Sequence, residues 1–283
     1  MTRLNSVIAA FEAGQTAFAT FAPASIESAL WVTKAPYDGV LYEMEHQPWD
    51  PAKLRETLQW MIDRRQVRER DSANVGVTPM VRIPSNGGEM NQFLAKQALD
   101  SGIFGVIWPH ISTAEQAYNA VAACRYPRLP SASFYEPRGI RGDSPGTAAR
   151  YWGISNKEYY AKADVWPLVP EGEVLVGLMI EDTLAIENLD EILKVLGIGM
   201  VVIGEGDLSQ ELGHPREYDH PEVVAAMERI VTACKTHGVK VAHPHVDSSN
   251  VKRVLEWGFD LLFASPERTF NSLEQGRTLA SRR

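Results

Sequence analysis

The chain has 283 residues, of which 45% are hydrophobic and 23% are charged, a composition ordinary for a globular protein. Its formal net charge of -8 and its pI near 5.4 argue against a general binder of nucleic acid or of anionic membranes. No stretch approaches the roughly 20 apolar residues of a membrane span, and the length suits one large α/β domain, which we predict to comprise residues 1–283.

The N-terminal segment and the cysteines favour a cytoplasmic protein. Glu12 interrupts an apolar patch near the N-terminus, so the patch indicates a helix of the folded domain rather than a signal peptide. Cys124 and Cys234 lie far apart and lack CxxC spacing, which is typical of reduced thiols rather than of a disulfide or a metal site.

Short apolar runs alternate with helical patterns eight times along the chain. Several runs are continuously apolar, as expected for parallel strands that are covered on both faces. Asp50 with Pro51, and a capping box of Thr113 and Gln116, predict the starts of two intervening helices. We therefore predict a (β/α)8 TIM barrel, with a doubly wound open sheet as the alternative. The predicted strands comprise residues 17–21, 39–45, 78–83, 104–109, 174–181, 200–204, 239–243 and 261–265.

One region, residues 125–153, is irregular and rich in proline, glycine, serine and arginine. In a barrel, such an insertion can border the active site, although some long loops are only surface decoration.

Polar side chains collect at the predicted carboxyl ends of the strands, where TIM barrels place their active sites. The predicted amino ends show no comparable collection. The residues at the carboxyl ends are Glu43, Glu45, His46, Arg82, His110, Glu181, Asp182, Glu205, Asp207, His243 and His245.

Glu181 and Asp207 end two successive strands. Adjacent strands lie about 4.8 Å apart, so carboxylates at matched heights could share a divalent cation such as Mg²⁺, Mn²⁺ or Co²⁺. The alternative is that each acid caps the helix that follows it. Gly204 and Gly206 permit a sharp turn next to them, and the N–H groups around Asp207 and Leu208 could hold an anionic group.

Arg82 and His46 are the candidate catalytic groups. A guanidinium at a strand end could bind a carboxylate or polarise a carbonyl, or it could only pair with a neighbouring acid. His46 could act as a general base near neutral pH, or it could be a hydrogen-bonded histidine at the rim.

Six segments together resemble the HpcH/HpaI aldolase family, the metal-dependent pyruvate aldolases related to citrate lyase. They extend over roughly residues 5 to 270 and are "YEMEHQPWD", "PMVRIPS", "ALDSGIFGVIWPHISTAEQA", "RYP…RG", "MIEDTLAIENLDEIL" and "VVIGEGDLSQELGHP".

The resemblance implies a role for each matching residue. Glu181 and Asp207 would be metal ligands, Arg82 would stabilise the pyruvate enolate, and His46 would move the proton of the substrate hydroxyl. Glu43 stands where the family usually has an aspartate that supports this histidine, but strand alternation leaves Glu45 as an alternative. Asp100, in "ALDSG", matches an acid close to the site across subunits, in a homo-oligomer (a trimer or a hexamer) whose C-terminal helix packs on a neighbour.

The sequence also departs from the family pattern. Met179 stands where the aldolases often have glutamine, and Glu205 replaces the usual proline of the "GPxDLS" motif. Alternation places Met179 on the same face as Glu181, so we predict that it lines the substrate site. Trp49 and Trp108 are expected near the mouth, where they would add aromatic surface.

The leading functional hypothesis is a class II aldolase that cleaves a 4-hydroxy-2-oxo acid to pyruvate, or a close analogue, and an aldehyde. A divalent metal would be the cofactor, and the 2-oxo acid and the aldehyde would be the small-molecule partners. A decarboxylase of an oxaloacetate-like acid, or a carbon–carbon lyase of a bulkier aromatic substrate, would use the same enolate. A non-catalytic binder built on an aldolase barrel is the alternative of another class.

Overall fold

A computed structural model describes residues 3–69, 74–84, 89–264 and 271–282. Within these ranges the chain forms a closed barrel of eight parallel strands with helices between them, which confirms the predicted (β/α)8 fold and excludes the open sheet. The barrel closes because β4 pairs with both β3 and β6, while a ninth, two-residue strand extends the edge of β6. The strands are β1 (Ala17–Ala22), β2 (Gly39–Glu43), β3 (Thr78–Arg82), β4 (Gly105–Trp108), β5 (Val165–Trp166), β6 (Val174–Ile180), β7 (Met200–Ile203), β8 (Lys240–Val246) and β9 (Leu261–Ala264).

The helices form the outer layer, and the predicted caps are present. Asp50 caps α3, and Thr113 forms the capping box with Gln116 at the start of α6. The helices are α1 (Ser6–Glu12), α2 (Ile26–Val32), α3 (Pro51–Trp60), α4 (Arg64–Glu69), α5 (Gln92–Ser101), α6 (Ala114–Ala123), α7 (Gly146–Trp152), α8 (Asn156–Lys162), α9 (Thr183–Glu187), α10 (Leu189–Leu193), α11 (Glu205–Glu211), α12 (Pro221–His237), α13 (Val251–Trp257) and α14 (Asn271–Leu279).

Strand alternation divides the apolar side chains into two cores. One core fills the barrel interior and includes Leu41, Met80 and Met179, while the other lies between strands and helices and includes Leu178 and Ile180. Helix α1 closes the amino end of the barrel, where Val7, Ile8 and Phe11 are buried in the interior core.

The irregular region 125–153 does not border the barrel mouth. It follows helix α6 rather than a strand, so it packs at the other side of the molecule. Arg125 is fully buried and pairs with Asp164 at 2.6 Å, and Arg141 is buried beside Asp100 and the ring of Tyr126. Neither of the two possibilities holds, because no residue of this region lines the cavity and its buried arginines make it an integral part of the fold rather than surface decoration.

Helix α14 packs against α13 of its own chain, and the Arg282 guanidinium after it pairs with Asp38. Its predicted contact with a neighbouring subunit stays a prediction. Among the described residues, no helix combines the length and the apolar run needed to cross a bilayer.

Candidate active site

A cavity of about 640 Å³ opens at the carboxyl end of the barrel. Strand ends supply most of its wall, and the turn after α11 supplies the rest. The polar residues of this cavity include Glu43, His46, Arg82, Glu181, Glu205, Asp207, Arg216, Tyr218 and His245.

Arg82 is held between two carboxylates at one wall. Its Nε lies 2.6 Å from Glu43 Oε2 and its Nη1 lies 2.9 Å from Glu45 Oε2. The Met179 sulfur is 3.7 Å from Nη1, and the Phe21 ring lies 5.9 Å from Cζ. Arg82 therefore pairs with strand-end acids and also lines the cavity, while its role toward a substrate stays a prediction.

The His46 imidazole lies next to Glu45 rather than Glu43. His46 Nε2 is 3.5 Å from Glu45 Oε2, and the ring is 66% exposed. Glu43 instead accepts the backbone N–H groups of Glu45 and His46 at 2.8 and 3.0 Å, which fixes the turn after β2. Strand β2 ends at Glu43, so the alternation that would have separated Glu45 from His46 no longer applies.

Glu181 directly follows β6 and is almost fully buried. The His110 N–H donates to its Oε1 at 2.5 Å. On the other side Gly204 leaves room for it, because a Cβ at that position would overlap with the Glu181 Cβ and Oε2. Burial raises the pKa of Glu181 to about 7, and the nearby Glu45 and Asp207 charges act in the same direction.

The residues present fit a divalent cation. Glu181, Asp207 and His110 each offer a ligand atom, and these atoms lie within 4.8 Å of one another. Neither acid caps a helix as the alternative proposed, because Asp182 caps α9 and Gly204 stands at the cap of α11. His110 was present among the strand-end residues of the sequence but was not predicted as a ligand.

Three predicted site residues lie outside the cavity. Trp108 follows the inward-facing Ile107, so alternation turns it into the outer core. Leu208 is buried in that core too. Its N–H donates to the Gly204 carbonyl in the first turn of α11, so this N–H does not point toward an anionic group. Asp100 lies on α5 and binds Arg141, while Met179 and Gly206 line the cavity as predicted.

A second acid–histidine cluster occupies the opposite wall, and sequence reasoning missed it. Glu205 is buried, its Oε1 lies 2.6 Å from His245 Nδ1, and its Oε2 lies 3.6 Å from His243 Nε2. Burial lowers the pKa of His243 to about 4, although Glu205 opposes this shift. The sequence showed all three residues at strand ends but gave no sign of their pairing, since the histidines follow Glu205 by about 40 residues.

Comparisons with known proteins show one family and one fold. The family model for HpcH/HpaI aldolase/citrate lyase matches residues 18–263. A 2-keto-3-deoxy-L-rhamnonate aldolase from Klebsiella pneumoniae is 32% identical, over 86% of this chain and 80% of that protein. A pyruvate aldolase from Rhizobium etli is 35% identical, over 73% of this chain and 69% of that protein. A crystal structure of an HpcH/HpaI family protein from Burkholderia cenocepacia shares the fold, with a TM-score of 0.77, 24% identity and 98% coverage of both chains.

Proposed function

The chain belongs to the HpcH/HpaI aldolase/citrate lyase family and is a class II aldolase, and we propose that its barrel mouth forms pyruvate, or a close analogue, from a 4-hydroxy-2-oxo acid. The observation that carries the proposal is the convergence of two carboxylates and an arginine on one cavity. Glu181 and Asp207 supply oxygen donors, and Arg82 supplies a fixed cation beside them.

Glu181 and Asp207 are the residues that would hold a divalent metal. Buried Glu181 and exposed Asp207 meet where β6 ends and α11 begins, and their oxygens suit Mg²⁺, Mn²⁺ or Co²⁺. When bound, the cation supplies Lewis-acid activation of the 2-oxo acid. Without it, several acids crowd one site, which is consistent with the raised pKa of Glu181.

Arg82 would stabilise the negative charge that develops on the enolate oxygen. Its guanidinium is oriented before substrate arrives, because Glu43 and Glu45 bind two of its edges and Met179 and Phe21 contact it. A donor that is already oriented needs little reorganisation during the reaction, which is the basis of this kind of catalysis.

His46 and Glu45 would carry out the proton transfer. His46 accepts the proton of the C4 hydroxyl, the C3–C4 bond breaks, and the electron pair of that bond becomes part of the enolate of pyruvate. The aldehyde leaves with its new carbonyl, and protonation at C3 then gives pyruvate. Glu45 lies 3.5 Å from His46 Nε2, so it can stabilise the imidazolium that forms.

Met179 would influence which aldehyde is accepted. Its thioether lies in the cavity next to Arg82, where a glutamine would offer stronger hydrogen bonds. A flexible apolar side chain at this position favours a bulkier or less polar aldehyde. Met179→Gln should therefore shift the preference toward small polar aldehydes.

We infer further that the enzyme is a cytoplasmic homo-oligomer, a trimer or a hexamer, in which Asp100 approaches a neighbour's site. Asp100 lies on α5, in the helical layer outside the barrel strands. Light scattering should give a mass three or six times 31.4 kDa.

Pyruvate release provides the test. Purified protein is supplied with 4-hydroxy-2-oxo acids and each of the three metals, and pyruvate is measured with lactate dehydrogenase. Chelation and Asp207→Asn should both abolish release, whereas Asp190→Asn, at an exposed acid on α10, should not. Release that survives exhaustive chelation would contradict the metal-dependent aldolase, and release of CO2 with pyruvate from oxaloacetate alone would favour the decarboxylase.

A further inference from the structure

His110 stands in an unusual backbone conformation directly beside the candidate metal site. Its φ is 52°, in the left-handed region that favours glycine, although histidine is one of the residues that adopt it more often than most. The same residue donates its backbone N–H to Glu181 Oε1. Its main chain and its ring therefore both face the buried carboxylate.

The ring nitrogens of His110 point to acids on both sides. Nδ1 lies 3.5 Å from Glu181 Oε1 and Nε2 lies 3.8 Å from Glu45 Oε1. Two ligand atoms about 2.1 Å from one ion are about 3.0–3.4 Å apart at octahedral or tetrahedral angles. The spacing between Nδ1 and Oε1 is therefore close to that of two ligands of one cation.

His110 and Arg82 border different openings beside the two acids. Glu181 and Asp207 line both the barrel-mouth cavity and a neighbouring cleft, in which they meet His110, Ser112 and Gln210. His110 lines the cleft but is not among the residues that line the barrel-mouth cavity. A nitrogen donor on that side leaves the side of Arg82 open to the 2-oxo acid.

We propose that His110 is a third protein ligand of the cation and that it shifts the site's preference toward metals with high affinity for imidazole, such as Co²⁺, over Mg²⁺. Imidazole suits Co²⁺, Ni²⁺ and Zn²⁺, whereas Mg²⁺ prefers oxygen donors. The inference rests on the proposed metal site of Glu181 and Asp207. If His110 bound only its neighbouring acids, it would add no such preference.

The experiment requires a chain with one candidate metal site. His214, His220 and Glu222 form a second group of possible ligands on the surface, so His214→Ala serves as the background for all measurements. Pulsed EPR of the Mn²⁺-loaded background protein should show coupling to a histidine nitrogen, and ¹⁵N-histidine labelling should change that coupling. This measurement needs no change at His110.

His110→Asn is the informative variant, because asparagine tolerates the left-handed conformation and should preserve the fold. It should remove the nitrogen coupling and weaken Co²⁺ binding, measured by calorimetry, by about 10-fold or more, with less than about a threefold change for Mg²⁺. His46→Asn, which changes the exposed histidine on the other side of Glu45, should retain the coupling.

Two other results would overturn the inference in different ways. Mn²⁺ binding without nitrogen coupling, or coupling that persists in His110→Asn, would exclude His110 as a ligand and leave the aldolase site of Glu181 and Asp207 intact. Failure of the background protein to bind any of these metals, or undiminished binding in Asp207→Asn, would overturn the metal site itself.

Discussion

Inward-facing side chains of the strands fill both ends of the barrel interior, but they are apolar at the amino end and charged at the carboxyl end. At the amino end, helix α1 closes the barrel, and Phe11 packs against Trp166 with ring centroids 5.9 Å apart. At the carboxyl end, the inward positions carry Glu43, Arg82 and Glu181, and the barrel stays open. Burial of apolar groups stabilises the first end, whereas burial of charge raises the pKa of Glu181 at the second. The amino end therefore stabilises the fold, whereas the charged carboxyl end lowers its stability and provides the groups of the candidate active site.

The largest expected effect lies at the closed end. Phe11→Ala removes a buried ring and should lower the free energy of unfolding by about 3–5 kcal/mol. Turnover per folded molecule at 25 °C should be unchanged, because α1 lies at the end opposite the cavity. Denaturant titration and steady-state kinetics measure the two quantities. Phe93→Ala, at a ring that is 53% exposed, is the control and should cost less than about 0.5 kcal/mol.

Arg82→Ala should show the reverse pattern. Loss of one charge-stabilising donor typically lowers the rate by about 100- to 1,000-fold. Stability should also fall, but by less than in Phe11→Ala, because Glu43 and Glu45 lose their shared cation at a wall that water in the cavity can reach. Arg253→Ala, which removes an exposed pair with Asp219, is the matched control. A folded Arg82→Ala protein with the wild-type rate would reduce Arg82 to a structural role.

Glu181→Gln should stabilise the metal-free protein while it weakens metal binding. Because folding raises the pKa of Glu181 from 4.5 to about 7, the loss of stability grows as the pH rises from 4.5 to 7 and is complete above pH 7. At pH 8 we expect a gain of about 2–3 kcal/mol, which should vanish near pH 4, where both states are protonated. Glu191→Gln, at a surface acid, is the control. A loss of stability in Glu181→Gln at pH 8 would contradict the claim that the buried charge of Glu181 destabilises the metal-free protein.

Acid should destabilise the protein partly through His243. Its pKa falls from 6.5 to about 4 on folding, so the unfolded chain binds a proton that the folded state excludes between these values. Its contribution is complete above pH 6.5 and is lost as the pH falls toward 4, by about 2 kcal/mol between pH 7 and pH 5. Unfolding of His243→Gln should depend less on pH in this range by that amount. An unchanged pH profile, matching that of the partly exposed His237→Gln, would exclude the histidine as a source.

The sequence predicted most features that depend on the periodicity of apolar residues and on the order of strands along the chain. Apolar runs separated by helical patterns predicted the eight barrel strands, and parity along β6 correctly placed Met179 and Glu181 inside the barrel. Prediction failed where regular periodicity ends or where contacts join distant segments. Trp108 lies one position away from the inward face. Glu45 reaches His46 only because β2 has already ended, and the run ending at residue 265 extends beyond the described residues.

Contacts between strands were outside the reach of sequence patterns. The left-handed backbone of His110 turns it toward Glu181, and this depends on how β4 meets β6 rather than on any local motif. The Glu205 and His245 pair likewise depends on the ends of β7 and β8 meeting, with a register irregularity between His243 and Val246. For this reason the strand-end list contained the correct residues but not their pairing.

Deuterium incorporation into the methyl group of pyruvate tests the central claim most directly, because it requires the enolate but no aldehyde. The protein is incubated with pyruvate in D2O and Co²⁺, and the label is measured by mass spectrometry. We expect rapid exchange that is abolished by chelation and by Asp207→Asn, is about 100- to 1,000-fold slower in Arg82→Ala, and is unchanged in folded Phe11→Ala. Exchange that is equally fast without metal, or in Asp207→Asn, would contradict an enolate-forming metal site at the mouth of the barrel.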